Sequence, residues 1–526
     1  MTGLPHEELT DFLPQRLALH ELIVRVTAEV VVVEGDKEED FGHNFRRIAR
    51  KIHDEYLIPC LPAIAAAHAE LRRDADRLTR KLIGQALGPP PAPARIGLLS
   101  NLFPRSQHAA EGRESATARD YRVVSGFKTA GLSASDPLER AVLKSLYRLL
   151  GAVLARHGRL GAYLGILIPL VGRHVGNTYG SKVIGCQIGE LINRAVTEQG
   201  YARVPNRQEP VLISLKGASA AGKSSLRPML KRLLHEQRME ADGYVTISPD
   251  VWRRLLLDYE RLGPARKYVG HLTSREVIVI DGKLDRYIRD KARRDNALPH
   301  LLVDRFRFDS FSGEQVARVL HNTYAKHVDT IYMYFLVTPP EDTVERGWLR
   351  ALERGRYKAV EEFLAHSVEA YVGMPKILFK WLAYRRPAYR YAFLDNTVPK
   401  GSFPHTIASG SQDELTILDP LALVDIERYQ KVNIHAASRN EVYPSADMLT
   451  VRKNSGFLKE LLRRVPKVRF ADGETIYLLV DQGAVSVVNA ATLARVLSDR
   501  RMLDLFAEIV PDALSQPRAA ALPSGG

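Results

Sequence analysis

A phosphate-binding motif constrains the fold of this chain more than any other feature. Residues 217–224 read GASAAGKS, which satisfies the pattern GxxxxGK[ST]. The apolar, β-prone run VLISLK precedes it, and the amphipathic helical pattern SSLRPMLKRLLHEQ follows it. Glycines let such a loop curl so that successive amides face a phosphate, and the start of the next helix adds partial positive charge. A chance glycine-rich turn is the alternative, but the strand and the helix on either side favour a nucleoside triphosphate site.

The loop assigns a role to each polar residue at its end. Lys223 is expected to reach the β- and γ-phosphates of ATP, and the Ser224 hydroxyl is expected to bind Mg²⁺. The predicted ATP-binding residues are Gly217, Ala218, Ser219, Ala220, Ala221, Gly222, Lys223, Ser224 and Ser225. Motors, GTPases, transporters and kinases share this loop, so the reaction has to be inferred from other residues.

After residue 210, short apolar runs alternate with amphipathic helical patterns. The runs are VLISLKG (211–217), YVTIS (244–248), HLLVD (300–304), IYMYFLV (331–337) and YAFLDN (391–396). This alternation predicts βαβ units and a parallel sheet that is covered by helices on both faces. One segment, SREVIVIDGKLDRYIRDKARR, fits a strand or a helix, and we predict a helix because its apolar spacing continues past Gly282.

Asp250 is the strongest candidate for a general base. It follows the second predicted strand in TISPDVWRRLLLDY, and ligands of open α/β sheets bind at the carboxyl ends of the strands. A carboxylate there can accept the proton of an attacking hydroxyl group. The alternative is that Asp250 only caps a helix beginning at Val251. Arg253, one helical turn later, is suited to pair with an anionic substrate or to orient the base.

Other candidates follow the third predicted strand and the helix before it. Asp304, in HLLVDRFRFD, ends an apolar run and is suited to a magnesium or substrate contact. Arg307 is predicted either to meet substrate phosphates or to cover the sheet edge, and Glu276 to line the acceptor site. His271 and His300 lack metal-ligand spacing, which favours structural roles.

A helical pattern rich in arginine follows the fourth predicted strand. In VERGWLRALERGRYKAVEEFLAH, Arg346, Arg350 and Arg354 recur at four-residue steps and therefore share one helix face, with Arg356 beyond a glycine. Small-molecule kinases carry a lid here, whose guanidinium groups stabilise the transferred phosphoryl group. A solvated face paired with Glu345 and Glu353 is the alternative.

Four of these stretches, GASAAGKSS, ISPDVWRRLL, HLLVDRF and RGWLRALERGRY, resemble the zeta toxin group of P-loop kinases over about residues 210–400. The resemblance implies that Lys223 and Ser224 contact ATP and Mg²⁺. It further implies Asp250 as general base, Arg253 as a substrate contact, and Arg346 with Arg354 or Arg356 as lid arginines. It also implies an inhibitory, antitoxin-like protein partner.

The third strand departs from the pattern of that group. There the strand ends in an acidic residue followed by Gly-Thr and an arginine, whereas this chain reads Asp304-Arg305-Phe306-Arg307. The acceptor therefore stays open among a sugar nucleotide, a dinucleotide and a polynucleotide 5′ end. We expect an ATP-dependent kinase that phosphorylates a hydroxyl of a small anionic substrate. A nucleic-acid-associated P-loop ATPase or a polynucleotide 5′-kinase is the alternative.

The charge balance agrees with anionic ligands without choosing among them. Lys and Arg number 75 against 61 for Asp and Glu, giving a formal charge of +14 and a pI near 9.6. A solvated basic surface accounts for the excess equally well. The basic residues are spread along the chain and are not interleaved with aromatic residues as in a single-strand groove, which makes nucleic acid the less favoured partner.

Cysteine content and hydropathy favour a cytoplasmic protein. Cys60 and Cys186 form no CxxC pair, so neither a disulfide framework nor a zinc site is predicted. The N-terminal MTGLPHEELTDFLPQ carries acidic residues and lacks an apolar core. The most apolar stretch, LGAYLGILIPLVG, is shorter than the ~20 residues of a membrane span and is expected to be a buried helix or hairpin.

The chain is too long for one core, because single domains stop growing near ~250–300 residues. We predict an α/β fold of P-loop kinase type, a parallel sheet flanked by helices, with a mainly helical N-terminal region and a small mixed C-terminal subdomain. The N-terminal region is expected to bind a partner, mask the active site or recognise the substrate. The predicted parts are helical regions at 1–87 and 121–205, a Pro-rich polar linker at 88–120, the kinase domain at 206–410, the C-terminal subdomain at 411–514 and a disordered tail at 515–526.

Overall fold

A computed structural model describes residues 2–87, 115–160, 164–236, 243–304, 326–355 and 357–515. Two compact units divide the chain. The first comprises Met1–Arg25 and Lys51–Gln199, and the second comprises Val26–Arg50 and Gly200–Gly526. Most of the predicted linker and nearly all of the predicted tail lie outside the described residues.

The N-terminal part of the chain is helical, as its apolar periodicity predicts. Its helices are α1 (His6–Leu9), α2 (Pro14–Glu29), α3 (Asp40–Ile52), α4 (Leu61–Leu87), α5 (Ala116–Ser133), α6 (Pro137–His157), α7 (Leu164–Val175) and α8 (Ser181–Gln199). Asp136 caps α6 by accepting a hydrogen bond from the backbone N–H of Glu139 at 2.6 Å. The apolar stretch forms α7, whose Leu167 and Val171 are fully buried in the core of the first unit. None of the helices in the described ranges has the length and apolar character to span a bilayer.

The second unit is built on one ten-stranded sheet with the order β2-β3-β1-β4-β5-β6-β7-β8-β9-β10. The strands are β1 (Val211–Lys216), β2 (Tyr244–Ile247), β3 (His300–Val303), β4 (Thr330–Val337), β5 (Ala388–Asp395), β6 (His405–Ser411), β7 (Glu414–Ile417), β8 (Lys467–Asp472), β9 (Thr475–Asp481) and β10 (Ala484–Val487). The first five strands coincide with the five predicted runs and pair in parallel. The fold is therefore the α/β, P-loop kinase type that the sequence predicts.

The helices of the second unit from Gly200 onward are α9 (Lys223–Glu236), α10 (Pro249–Leu256), α11 (Val269–Asp295), α12 (Pro340–Arg354), α13 (Val360–Leu382), α14 (Pro420–Arg428), α15 (Gly456–Arg464), α16 (Ala490–Val496), α17 (Arg500–Ile509) and α18 (Asp512–Ser515). The ambiguous segment is helical throughout, within α11. Val277, Ile280, Leu284 and Ile288 lie buried along it, as their helical spacing predicts.

The region after β5 continues the same sheet rather than starting a new one. β6 pairs antiparallel with β5, and a hairpin followed by a capped helix occurs twice, as β6-β7-α14 and β9-β10-α16. In the first copy the Asp419 backbone N–H donates to Ile407 O at 3.0 Å, and in the second Asn489 donates to Tyr477 O at 3.2 Å. Asp419 and Asn489 then cap their helices with their side chains. The C-terminal part is thus a duplicated extension of the sheet.

Val26–Arg50 belongs to the second unit, although its sequence lies within the predicted N-terminal helical region. Val31 N–H donates to Ala202 O at 2.9 Å, and Val30 forms a β-bridge with Arg203. The Thr246 hydroxyl, at the end of β2, donates to Glu34 Oε1 at 2.9 Å. Residues far upstream of the phosphate loop therefore pack beside β2 and beside the segment that precedes β1.

Candidate active site

A cavity of about 740 Å³ lies at the carboxyl ends of the parallel strands. Parallel α/β sheets bind ligands at this edge because the loops that leave their strands converge there. Many of the residues expected from the sequence line the cavity, namely Ser219, Ala220, Gly222, Lys223, Ser224, Ser225, Asp250, Arg253, Asp304 and Arg346. Gly217, Ala218 and Ala221 are the buried part of the loop.

The phosphate loop runs from the end of β1 to the first residue of α9. Ala220 has φ +61° and Gly222 has φ +95°, so the chain turns twice through the left-handed region. Lys223 Nζ donates to Gly217 O at 3.0 Å and to Ala218 O at 2.8 Å, which holds the ammonium group against the loop. Burial lowers the pKa of Lys223, and the carboxylates of Asp304 and Asp250 oppose that decrease.

Asn396, directly after β5, contacts the phosphate loop through a side-chain hydrogen bond. Its side-chain Nδ2 donates to Ala221 O at 2.7 Å, and its backbone carbonyl accepts a hydrogen bond from Arg346 Nη2 at 2.6 Å. One residue therefore connects the phosphate loop with α12. Asn396 ends the predicted strand run YAFLDN, and nothing in that run predicts a role for it.

Gly222→Ala is expected to weaken ATP binding about tenfold or more, because an alanine at positive φ is strained by roughly 1–3 kcal/mol. In addition, a Cβ at this position would lie 2.1 Å from Asn396 Nδ2. A titration with a fluorescent ATP analogue measures the loss. Gly473→Ala is the matched control, because Gly473 also has positive φ, +59°, but faces open space. Equal affinity of the Gly222→Ala variant and the parent protein would contradict the prediction.

Asp250 is held by an arginine rather than serving as a helix cap. It is the second residue of α10, and Ser248 occupies the N-cap position. Arg253 Nε donates to Asp250 Oδ1 at 2.7 Å, while Arg253 Nη1 donates to Thr273 Oγ1 at 2.6 Å and to Gly270 O. Since Thr273 and Gly270 belong to α11, Arg253 fixes the Asp250 carboxylate between two helices at the cavity wall.

Ser224 and Asp304 come together from α9 and the end of β3. The Ser224 hydroxyl lies 3.5 Å from Asp304 Oδ2, and Asp304 is 8% exposed. Within the described ranges, no set of three or more His, Cys, Asp or Glu side chains is arranged as a complete metal site. Mg²⁺ in nucleotide enzymes uses one or two protein oxygens together with water and substrate phosphates, so this pair of oxygen ligands fits magnesium.

Three residues that the sequence analysis did not single out surround this pair. Arg227, on α9, donates from Nη1 to Asp304 Oδ2 at 3.1 Å. Glu34 Oε2 lies 3.4 Å from Arg227 Nε, and Glu38 Oε2 accepts a hydrogen bond from the Ser225 hydroxyl at 2.5 Å. Burial raises the pKa of Glu34, while Arg227 and the Thr246 hydroxyl stabilise its carboxylate. Only Arg227 lies near the motif in sequence, as the arginine of SSLRP.

α12 contributes to the cavity two of the arginines that the sequence predicts for a lid. Arg346 and Arg350, one turn apart on α12, both line it, and the positive charge of Arg350 helps to lower the pKa of Lys223. Lys358 and His366, which the sequence analysis did not assign, line it as well. The side chain of Arg354 and all of Arg356 and Arg307 lie outside the described residues.

Of three further residues that the sequence singles out, Glu276 and His300 lie outside the cavity lining and His271 lies within it. Glu276 lies on α11 but is not among the lining residues, to which that helix contributes Ser274, Val277, Ile278 and Asp281. His300 Nδ1 accepts a hydrogen bond from the Val211 backbone N–H at 3.0 Å, a structural role as expected. His271 lines the cavity, and its Nε2 lies 3.0 Å from Glu362 Oε1.

His366 makes the second unit sensitive to acid. Burial lowers its pKa from 6.5 to about 3, and the positive charges of Lys358 and Lys223 add to the decrease. Between pH 6.5 and about 3, His366 is protonated in the unfolded chain but neutral in the folded chain. The free energy of unfolding therefore falls as the pH falls. We expect the melting temperature to drop less between about pH 7.5 and 5 in His366→Gln than in the parent protein. Equal drops in calorimetry would contradict this.

The comparison with known proteins agrees with this geometry. No curated protein and no solved structure gives a significant match to the chain. A family match covers the end of α8, β1, the phosphate loop, α9, β2, α10 and most of α11. This part of the chain is thus a P-loop, kinase-like nucleotide-binding region: residues 195–291 match the zeta toxin family.

Proposed function

We propose that the protein is an ATP-dependent kinase that transfers the γ-phosphoryl group of ATP to a hydroxyl of a small anionic substrate. One observation carries the proposal: Lys223, Asp250 and the arginines of α12 line a single cavity. A nucleotide switch needs the phosphate loop, but it does not need a carboxylate and a set of arginines facing that loop. Phosphoryl transfer uses all three.

In this reaction each of the polar residues that line the cavity has a distinct role. Lys223 and the loop amides hold the β- and γ-phosphates, and Asp250 accepts the proton of the substrate hydroxyl as it attacks the γ-phosphorus. Arg253 keeps the Asp250 carboxylate in place through its hydrogen bond of 2.7 Å. Arg346 and Arg350 stabilise the charge on the transferred group. Ser224 and Asp304 would hold Mg²⁺, which would neutralise phosphate charge when bound.

The size of the cavity supports an acceptor of nucleotide dimensions. Ligand sites for such molecules span roughly 300–1,000 Å³, and the 740 Å³ here also contains the ATP position. Beyond the phosphate loop the lining holds charges of both signs, namely the cations Arg253, Lys358 and Lys400 and the carboxylates Asp281, Glu353 and Glu362. A nucleotide sugar or a dinucleotide fits these requirements, because each combines hydroxyl groups with a diphosphate.

Mass spectrometry of a substrate panel tests the proposal. The protein is incubated with Mg-ATP and a set of nucleotide sugars, dinucleotides and 5′-hydroxyl oligonucleotides. Phosphorylation adds about 80 daltons to the acceptor. We expect this gain on a nucleotide sugar or dinucleotide with the parent protein and not with Asp250→Asn.

The same incubation with γ-labelled ATP separates the alternatives. Label on a 5′-hydroxyl oligonucleotide would replace the small acceptor with a polynucleotide. Label found only in inorganic phosphate, with a rate that rises on addition of DNA or RNA, would overturn the kinase proposal in favour of a nucleic-acid-associated ATPase.

A further inference from the structure

Arg227 is a buried cation at the back of the phosphate site. It is 3% exposed and lies on α9, shortly after Lys223 and Ser224. Its Nη1 donates to Asp304 Oδ2 at 3.1 Å and to the Ser248 hydroxyl at 2.9 Å. Arg227 therefore joins the end of β3, which carries Asp304, to the end of β2, after which Asp250 follows.

The other contacts of Arg227 come from Val26–Arg50. Glu34 Oε2 lies 3.4 Å from Arg227 Nε, the Glu38 carbonyl accepts from Nη2 at 3.2 Å, and the Phe41 ring centroid lies 5.2 Å from the guanidinium carbon. The guanidinium group thus contacts the carboxylate of Glu34, the carbonyl of Glu38 and the ring of Phe41. Such an arrangement fixes the plane of a planar, multidentate cation.

We propose that Glu34, in the segment Val26–Arg50, belongs to the magnesium-nucleotide site: it positions Arg227, and Arg227 in turn orients Asp304 toward Ser224. The inference rests on the proposed function, since it concerns how Mg-ATP is held. Glu34 and Arg227 are positioning residues, because they act on the ligand through Asp304.

The charges in this cluster explain why two carboxylates are needed. If Arg227 faced Asp304 alone, the guanidinium group could pair with both oxygens of that carboxylate and neutralise it. Glu34, 1% exposed, draws Arg227 toward itself, so Asp304 meets Arg227 through Nη1 while the same oxygen lies 3.5 Å from the Ser224 hydroxyl. Groups behind a metal ligand commonly change metal affinity by 10–100-fold when they are replaced.

Glu34→Gln tests the inference because it keeps the shape of the side chain and its contact with Thr246. Asp36→Asn is the matched control, since Asp36 carries the same charge two residues further along the chain but is exposed. The affinity for a fluorescent ATP analogue is titrated against Mg²⁺ concentration, and again with the metal chelated. We expect the Mg²⁺ concentration at half-maximal enhancement to rise about tenfold or more in Glu34→Gln. The affinity of Glu34→Gln for the analogue without metal should stay within about twofold of the parental value. The affinities of Asp36→Asn with and without Mg²⁺ should do the same.

A second variant addresses the case in which Glu34→Gln fails to fold. Arg227→Lys keeps the charge but cannot contact Asp304, Ser248 and Glu34 in the same plane. It should show the same rise in the Mg²⁺ concentration at half-maximal enhancement, and a melting curve at matched pH reports whether either variant is folded. Failure of both variants to fold would overturn the inference, because these residues would then serve stability alone.

The outcomes separate this inference from the proposed function. If the nucleotide affinity of the parent protein did not depend on Mg²⁺, the result would contradict the proposed kinase site itself. A parent that depends on Mg²⁺, with unchanged magnesium dependence in folded Glu34→Gln, would overturn only the role of Val26–Arg50. Equal losses with and without metal would also overturn it, because a general distortion of the loop would then be the cause.

Discussion

Asp250→Asn is expected to lower the rate of phosphoryl transfer by roughly 10²–10⁴-fold while ATP binding stays close to that of the parent protein. An amide has the shape of the carboxylate but cannot accept the proton of the attacking hydroxyl. The hydrogen bond from Arg253 Nε to Oδ1 can be kept by the amide oxygen, so the local structure should persist. The loss therefore falls on the chemical step.

Single-turnover kinetics with γ-labelled ATP and the identified acceptor measure the chemical step separately from binding. Asp258→Asn serves as the control, because Asp258 lies just after α10 and its carboxylate pairs at 3.3 Å with the exposed Arg261. Its rate should match that of the parent. If Asp250→Asn kept more than about a tenth of the parental rate, Asp250 would not be the base.

The nucleotide half of the site could be predicted because its signals are local. The phosphate loop requires glycine at Gly222 and places Lys223 at the start of a helix, and both requirements show in a short stretch of sequence. The apolar runs before Asp250 and Asp304 mark strands, and parallel strands bring their carboxyl ends to one edge. Strand identity, together with this rule, was sufficient to predict that the two carboxylates line one cavity.

The residues that hold these groups in place could not be predicted in the same way. Asn396 contacts the loop across 175 residues of sequence, and Glu34 approaches Thr246 across 212. No periodicity or motif records such a contact, because it depends on how the chain returns to the sheet. Val26–Arg50 continues a helical pattern and gives no local sign that it belongs beside β2. Composition and spacing describe each element, whereas the partners of an element are set by tertiary packing.

The arginines of α12, which the sequence predicts as a lid, lie between these two cases. Four-residue spacing correctly predicts that Arg346 and Arg350 share a face of α12, and the cavity confirms that this face points inward. Spacing gives no measure of which arginine comes nearest to the transferred phosphoryl group. Arg346 is engaged with the Asn396 carbonyl, whereas Arg350 is close enough to Lys223 to lower its pKa. Because both arginines line the cavity and Arg346 is already engaged, we propose Arg350 as the arginine that meets the γ-phosphate.

Arg350→Ala is accordingly expected to reduce phosphoryl transfer by about 10³-fold, in the range of other arginines that neutralise a transferred phosphoryl group. Because the charge on that group is largest in the transition state, kcat should fall far more than the affinity for ATP. Arg350→Lys should recover only part of the loss, since an ammonium group cannot bind two phosphoryl oxygens with a planar fork.

The measurement is kcat and the ATP dissociation constant for both variants, with Glu345→Gln, an exposed position on the same helix, as the control for lid folding. A loss that appeared mainly in ATP affinity would place Arg350 on the ground-state nucleotide instead of the transferred group. Unchanged transfer in Arg350→Ala, combined with a 10³-fold loss in Arg346→Ala, would move this role one turn toward the start of α12 and leave Arg350 as a surface cation of the cavity. The two arginines lie about one helical turn apart, so the pair of variants distinguishes an arginine on the γ-phosphate from one that only holds α12 against Asn396.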